Sequence, residues 1–163
     1  MYKTSNVITV LVLTAIMFQC QQTSNNFKTT SEEIDIELTR SVQAYANAQK
    51  LLKSAGSDPF VINSVTVNDN ELKMLIGVSY SGGCEKHQFS LVWSDVINMV
   101  YPPNFTVILN HNANGDSCEA WLTKTLVIDL KDDALRLSDQ EIIDMTVTVV
   151  NGSNPNEKVE QEY

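Results

Sequence analysis

Histidine is almost missing from this chain and cysteine is scarce, with two of the first and three of the second among 163 residues. No Cys-x-x-Cys pair occurs, which excludes thioredoxin-like exchange. There is no Walker-type loop, no dinucleotide fingerprint and no metalloprotease helix, so nucleotide and zinc-peptidase chemistry lack their usual carriers. Basic side chains are outnumbered, 11 against 20 acidic, for a net charge of −9. That balance makes nucleic acid and anionic lipid surfaces poor partners for the body of the protein. The carboxylates are scattered, and no pair stands out as the acid and base of a hydrolase. No internal repeat is visible. The apolar run from Val7 to Phe18 is twelve residues long, short of the roughly 17 to 25 needed to span a bilayer.

What is present at the start is an export pattern. Lys3 precedes that apolar run, and Cys20 follows it by two residues. Met17, Phe18 and Gln19 are all large, so the small-x-small site of an ordinary secretory signal is missing. The segment resembles the leader of bacterial lipoproteins, whose cysteine receives a lipid and becomes the first residue. Met17 and Gln19 stand where those leaders favour Leu and a small residue, a departure that points to a lineage with a loose recognition site, such as the Bacteroidetes. The resemblance implies a signal peptide over 1–19, lipidation (palmitate included) at Cys20, and membrane attachment through it. It implies an outer-membrane location facing the periplasm. The polar stretch over 20–33 is then a tether.

The rest has the length and apolar content of one domain, expected over 34–150, with an acidic tail over 151–163 expected to be disordered. Val42, Tyr45, Ala46, Gln49 and Leu52 are spaced for one face of a helix. Ser31 could open that helix, but Ile34, Ile36 and Leu38 alternate like a strand, and both readings stand. From Phe60 onward the period is two. FVINSVTV and ELKMLIGVSY flank the turn residues Asn68 to Asn70 and predict a hairpin, with Leu72, Met74, Ile76, Val78 and Tyr80 on one face. HQFSLVW, NFTVILN, CEAWLTKTLVIDL and IIDMTVTVV supply further strands, with one helical turn in the KDDALRLSDQE segment. The pattern predicts a mainly β fold, an antiparallel sandwich or partly closed barrel of about six strands, with one N-terminal helix possible.

Apart from Cys20, every cysteine and histidine falls at two adjoining strand ends, YSGGCEKHQF and ILNHNANGDSCEAW. In an exported protein the even pair Cys84 and Cys118 reads first as a disulfide closing a loop of 34 steps, worth about 4 kcal/mol by chain entropy. Cys84, His87, His111 and Cys118 also match the residue types of a zinc or copper site. A cysteine nucleophile served by a histidine, with Asp116 or Glu119 orienting His111, is a third reading. Asn112, Asn114, Asp116 and Glu119 offer oxygen ligands for calcium, although Asn, Gly, Asp and Ser are ordinary turn residues. The strings SGGCxxHxFxL and HxANGDxCEAxxTK resemble small uncharacterised Bacteroidetes lipoproteins over Val61 to Leu130, which implies a shared fold and one local site at this corner. Together the leader's resemblance, which implies the lipid anchor, and the residues of the domain favour a lipid-anchored, non-catalytic binding or structural domain without a cofactor. Tyr80, Tyr101 and Trp121 are candidate exposed aromatics for a protein or small-molecule partner.

Overall fold

The computed structural model describes residues 34–52, 54, 56–95 and 102–162. The leader, Cys20, the tether and Tyr101 lie outside these residues. Eight strands and two short helices follow one another: β1 (Asp35–Arg40), α1 (Val42–Leu51), β2 (Val61–Asn68), β3 (Lys73–Gly82), β4 (Gln88–Trp93), β5 (Asn104–Asn112), β6 (Ala120–Asp129), α2 (Asp139–Asp144), β7 (Thr146–Asn151) and β8 (Lys158–Glu160). They form a five-stranded sheet, β1-β4-β5-β7-β8, and a three-stranded sheet, β2-β3-β6, stacked like a sandwich.

The apolar alternation read from sequence builds the space between the sheets. Met74, Ile76, Val78 and Tyr80 of β3 meet Phe89, Leu91 and Trp93 of β4 and Phe105, Val107 and Leu109 of β5 in one buried cluster. In β2 the alternation slips, because a bulge between Ile62 and Ser64 lets Ile62 before it and Val65 after it both face inward. Ile34, Ile36 and Leu38 pack against the same core, so their strand-like spacing decides that segment.

Helix α1 begins later than Ser31. Ser41 is its N-cap, its hydroxyl accepting the Ala44 N–H at 2.9 Å. The stripe laid on the sheet is Ala44, Tyr45, Ala48 and Leu52, covering Val92, Ile108 and Val150. Val42, expected on that face, is 60% exposed. With Ala44 and Ala48 on the contact face, the stripe is turned away from Val42 and Gln49, which are both exposed. Helix α2 is closed by a capping box between Ser138 and Glu141, and it starts at the end of the segment in which a turn was expected.

Three features differ from expectation. The pairs β1 with β4 and β5 with β7 are parallel, because each pair is separated by a long excursion that includes strands of the other sheet. There are eight strands among the described residues where about six were expected. The tail over 151–163, expected to be disordered, is ordered as far as it is described. β8 pairs with β7, the Gln161 N–H donates to the Val147 carbonyl in one sheet, and the Glu162 N–H donates to the Val65 carbonyl in the other. Strand β6 is an edge of its sheet. On its inward side Lys124 sits between Leu122 and Leu126, paired in register with the fully buried Val78, and is exposed.

Composition alone gives the tail no reason to order; one buried amide supplies it. Asn151 donates through Nδ2 to the Phe60 carbonyl at 2.8 Å and to Glu157 Oε2 at 3.0 Å, while its Oδ1 accepts from the Ser153 N–H and hydroxyl. Glu157 Oε1 in turn accepts the Ile62 N–H at 2.7 Å. Substituting Asn151→Ala strands these partners, and we expect a loss of about 2–3 kcal/mol. Urea denaturation should show the lower midpoint with an unchanged slope.

Candidate functional site

Two of the connections that carry the chain between the sheets leave the sandwich at the same end. Gly82, ending β3, pairs with Ala120, beginning β6, and Asn112, ending β5, pairs with Gln88, beginning β4. The loops 83–87 and 113–119 therefore face each other. Cys84 and Cys118 join them in a disulfide, with Cα atoms 5.9 Å apart.

Beside the bridge, Asp116 turns inward until its side chain has no accessible surface. Its Oδ2 accepts the N–H groups of Gly83, Cys84 and Glu85 at 2.8, 2.9 and 3.0 Å, and its Oδ1 accepts the Cys118 N–H at 2.8 Å. Three consecutive amides converging on one oxygen make a backbone nest. The Glu85 amide, then the Cys118 amide and the His87 ring, hold the carboxyl far below the usual carboxylate range.

The two histidines extend this network inward. His87 Nε2 lies 3.1 Å from Asp116 Oδ2, and His87 Nδ1 lies 2.7 Å from His111 Nε2. An ionised carboxylate only accepts, so His87 Nε2 carries a proton and donates it. In the neutral pair His87 Nδ1 then accepts from His111 Nε2–H. His111 Nδ1 is buried and meets no partner at hydrogen-bonding geometry among the described residues. Burial, reinforced by His87, holds the His111 pKa below the ordinary histidine value, against the opposing pull of Asp58 and of the Asp58 and Pro59 backbone. The rings are sandwiched: Tyr80 lies 4.6 Å from His87 between centroids, and Phe89 stacks on His111 at 4.6 Å. His111 also fixes the segment before β2, since its N–H donates to Ser57 Oγ and its carbonyl accepts the Asp58 N–H, both at 2.9 Å.

Gly82 is required here. A Cβ at that position would fall 2.3 Å from His87 Nε2, and the backbone φ of +155° is rarely adopted by other residues.

The structure thus brings Cys84, His87, His111 and Cys118 to one corner, but not as ligands. The cysteine sulfurs are bonded to each other, and two histidine nitrogens 2.7 Å apart point at each other with no room for an ion between them. The zinc or copper set is therefore not formed. The nucleophile reading meets the same obstacle, because neither bridged sulfur is a thiolate. The oxygen ligands proposed for calcium do not converge either. Asn112 Oδ1 accepts the Asn114 N–H, Asn114 Nδ2 donates to the Lys86 carbonyl, both Asp116 oxygens face N–H donors, and Glu119 is exposed. Tyr80 is buried in the core, whereas Trp121 is 65% exposed on the outer face of β6. The organising role of Asp116 was missed in the sequence. Its signal was the glycine pair at 82 and 83, which lets successive amides point one way, opposite an Asn-Gly-Asp turn.

No family model matches the chain, and no curated protein does. Among solved structures, a putative toxin-related protein from Parabacteroides distasonis is similar at 21% identity, covering 80% of this chain and 61% of that one, with a TM-score of 0.50. A protein of unknown function, DUF1344, from Bacteroides vulgatus aligns at 13% identity over 80% of this chain and 57% of its own, with a TM-score of 0.47. A NigD-like immunity protein from Bacteroides caccae aligns at 15% identity over 72% and 52%, with a TM-score of 0.42. The chain therefore spans between about half and three-fifths of the solved proteins it matches. The likeness is one of fold.

The network sets the acid response of stability. A histidine held low contributes fully above its unfolded value of about 6.5 and loses that contribution as pH falls toward its folded value. A carboxylate held low contributes above about 4 and loses its share as pH falls through its folded value. Wild-type stability should fall in two stages on acidification. Asp116→Asn should be less stable at pH 7 and flatter below pH 4, and His111→Gln should flatten the earlier stage. Urea unfolding at a series of pH values checks both, and an unchanged acid limb in Asp116→Asn would refute the assignment.

Proposed function

We propose that this protein is a lipid-anchored, non-catalytic binding or structural domain, held by Cys20 at the outer membrane and facing the periplasm. The observation that carries the reading is the Cys84–Cys118 bridge at a corner where both sulfurs, the Asp116 carboxylate and the facing nitrogens of the two histidines are already engaged. Disulfides form and persist in oxidising compartments, which agrees with the export pattern of the first twenty residues. A corner built to do chemistry leaves a nucleophile or a ligand set open. This one turns its carboxylate, imidazoles and sulfurs on one another. Its product is rigidity at the end of the sandwich, and loops held by a rigid scaffold are where partners bind.

Two measurements test the parts separately. Cells fed labelled palmitate should incorporate it into the wild-type protein and not into Cys20→Ser, which should leave the membrane fraction. Alkylation under denaturing conditions without reductant should leave Cys84 and Cys118 unmodified in protein recovered from the envelope. Labelling of Cys20→Ser, or free thiols at both positions, would overturn the corresponding half of the reading.

A further inference from the structure

The five-stranded sheet has a second face, turned away from the core, and α1 covers only part of it. Beyond the helix end the outward side chains change character. Glu37 of β1, Ser90 of β4 and Asn110 of β5 stand in one rung across three strands, and Gln88 and Asn112 stand in the neighbouring rung. Together with Leu51 at the end of α1 they line a concavity of about 310 Å³. That lies at the lower end of the roughly 300–1,000 Å³ typical of small-molecule sites.

Several other amides among the described residues are spent internally. Asn63 bonds to Ser79, Asn68 caps the β2-β3 turn, Asn104 bonds to Thr146, and Asn151 holds the tail. Asn110 and Ser90 are half-buried, yet neither makes a side-chain hydrogen bond among the described residues. Gln88 and Glu37 make none either. A row of amides, a hydroxyl and one carboxylate thus faces a concavity on a rigid sheet with hydrogen-bonding capacity open to a ligand.

The lining also says what that partner is. No Lys or Arg is present, so phosphates and carboxylates find no counter-charge. The Gln88 and Asn110 amides each offer an acceptor and two donors, Asn112 offers its two donors, and the carboxylate and hydroxyl add acceptors, so the row suits a ligand whose groups both donate and accept. Leu51 supplies one apolar wall. We propose that this concavity binds a neutral polyhydroxylated ligand, a monosaccharide or the terminal sugar of a glycan. The inference rests on the binding half of the function proposed above and names its ligand class.

The test uses the full-length protein in detergent and ligand-observed saturation-transfer NMR with glucose, galactose, mannose and N-acetylglucosamine, each alone. Transfer to the ring protons of at least one sugar, with millimolar affinity, is expected. Gln88→Ala and Glu37→Ala alter exposed side chains, and each should weaken binding by about tenfold. Thr125→Ala, on the outer face of the other sheet, should bind like wild type. Silence from all four sugars, transfer undiminished in both variants, or binding of choline in place of any sugar would overturn the proposal. Palmitate labelling and thiol alkylation of the same preparation keep the two ideas apart. A lipidated, bridged protein that ignores every sugar loses this ligand and retains the anchored domain.

Discussion

The end of the sandwich depends on one buried carboxylate. Asp116 takes four backbone N–H groups and an imidazole, and in doing so it neutralises donors that both crossover loops would otherwise expose. A strand that leaves one sheet for another abandons its ladder partners, and its amides need new acceptors. Here a single side chain meets that need for both crossings. The disulfide holds the two loops at the spacing this requires, and the glycine at 82 leaves room for the histidine ring that completes it. The His87 and His111 rings then pass the polar contact into a wall of Phe60, Tyr80 and Phe89.

That arrangement explains why a cluster with the composition of an active site forms neither a four-ligand metal set nor a thiolate–imidazole pair in this fold. Metal ligation and nucleophilic catalysis both need an atom with a free lone pair facing a space. The corner has the right atoms, but its sulfurs are bonded to each other, its carboxylate is ringed by N–H donors, and the one nitrogen without a partner among the described residues, His111 Nδ1, is buried. The concavity on the outer sheet face is the reverse case, ordinary polar residues with their hydrogen-bonding capacity unspent. Chemical variety among side chains is thus a weaker guide to a site than whether their valences are already used.

Much of the core was legible because period-two alternation reports burial directly. Met74 to Tyr80 and Phe89 to Trp93 fall where the alternation puts them. The bridge was legible from compartment and cysteine parity. Sheet membership was not, since alternation marks which side of a strand is apolar and says nothing about which strand lies next to it. The parallel pairs escaped for that reason. The tail escaped because its order comes from Asn151, one residue whose partners, Phe60 and Ile62 through Glu157, are about ninety positions away. Polar composition reads as disorder when such partners are unknown. The rotation of α1 was hidden similarly, since Ala44 and Ala48 look neutral in a helical wheel and become the contact face only against a flat sheet.

Strand β6 is long, mostly exposed and at a sheet edge, the profile of a segment that zips onto its own copies and seeds fibres. Lys124 changes that outcome. A second copy docking edge to edge would have to strip water from the exposed Lys124, which stands between Leu122 and Leu126 on the inward side, and its own β6 offers no acid on that side. The edge most open to pairing with a second copy thus carries a charge in the middle of its apolar side, set there by one residue.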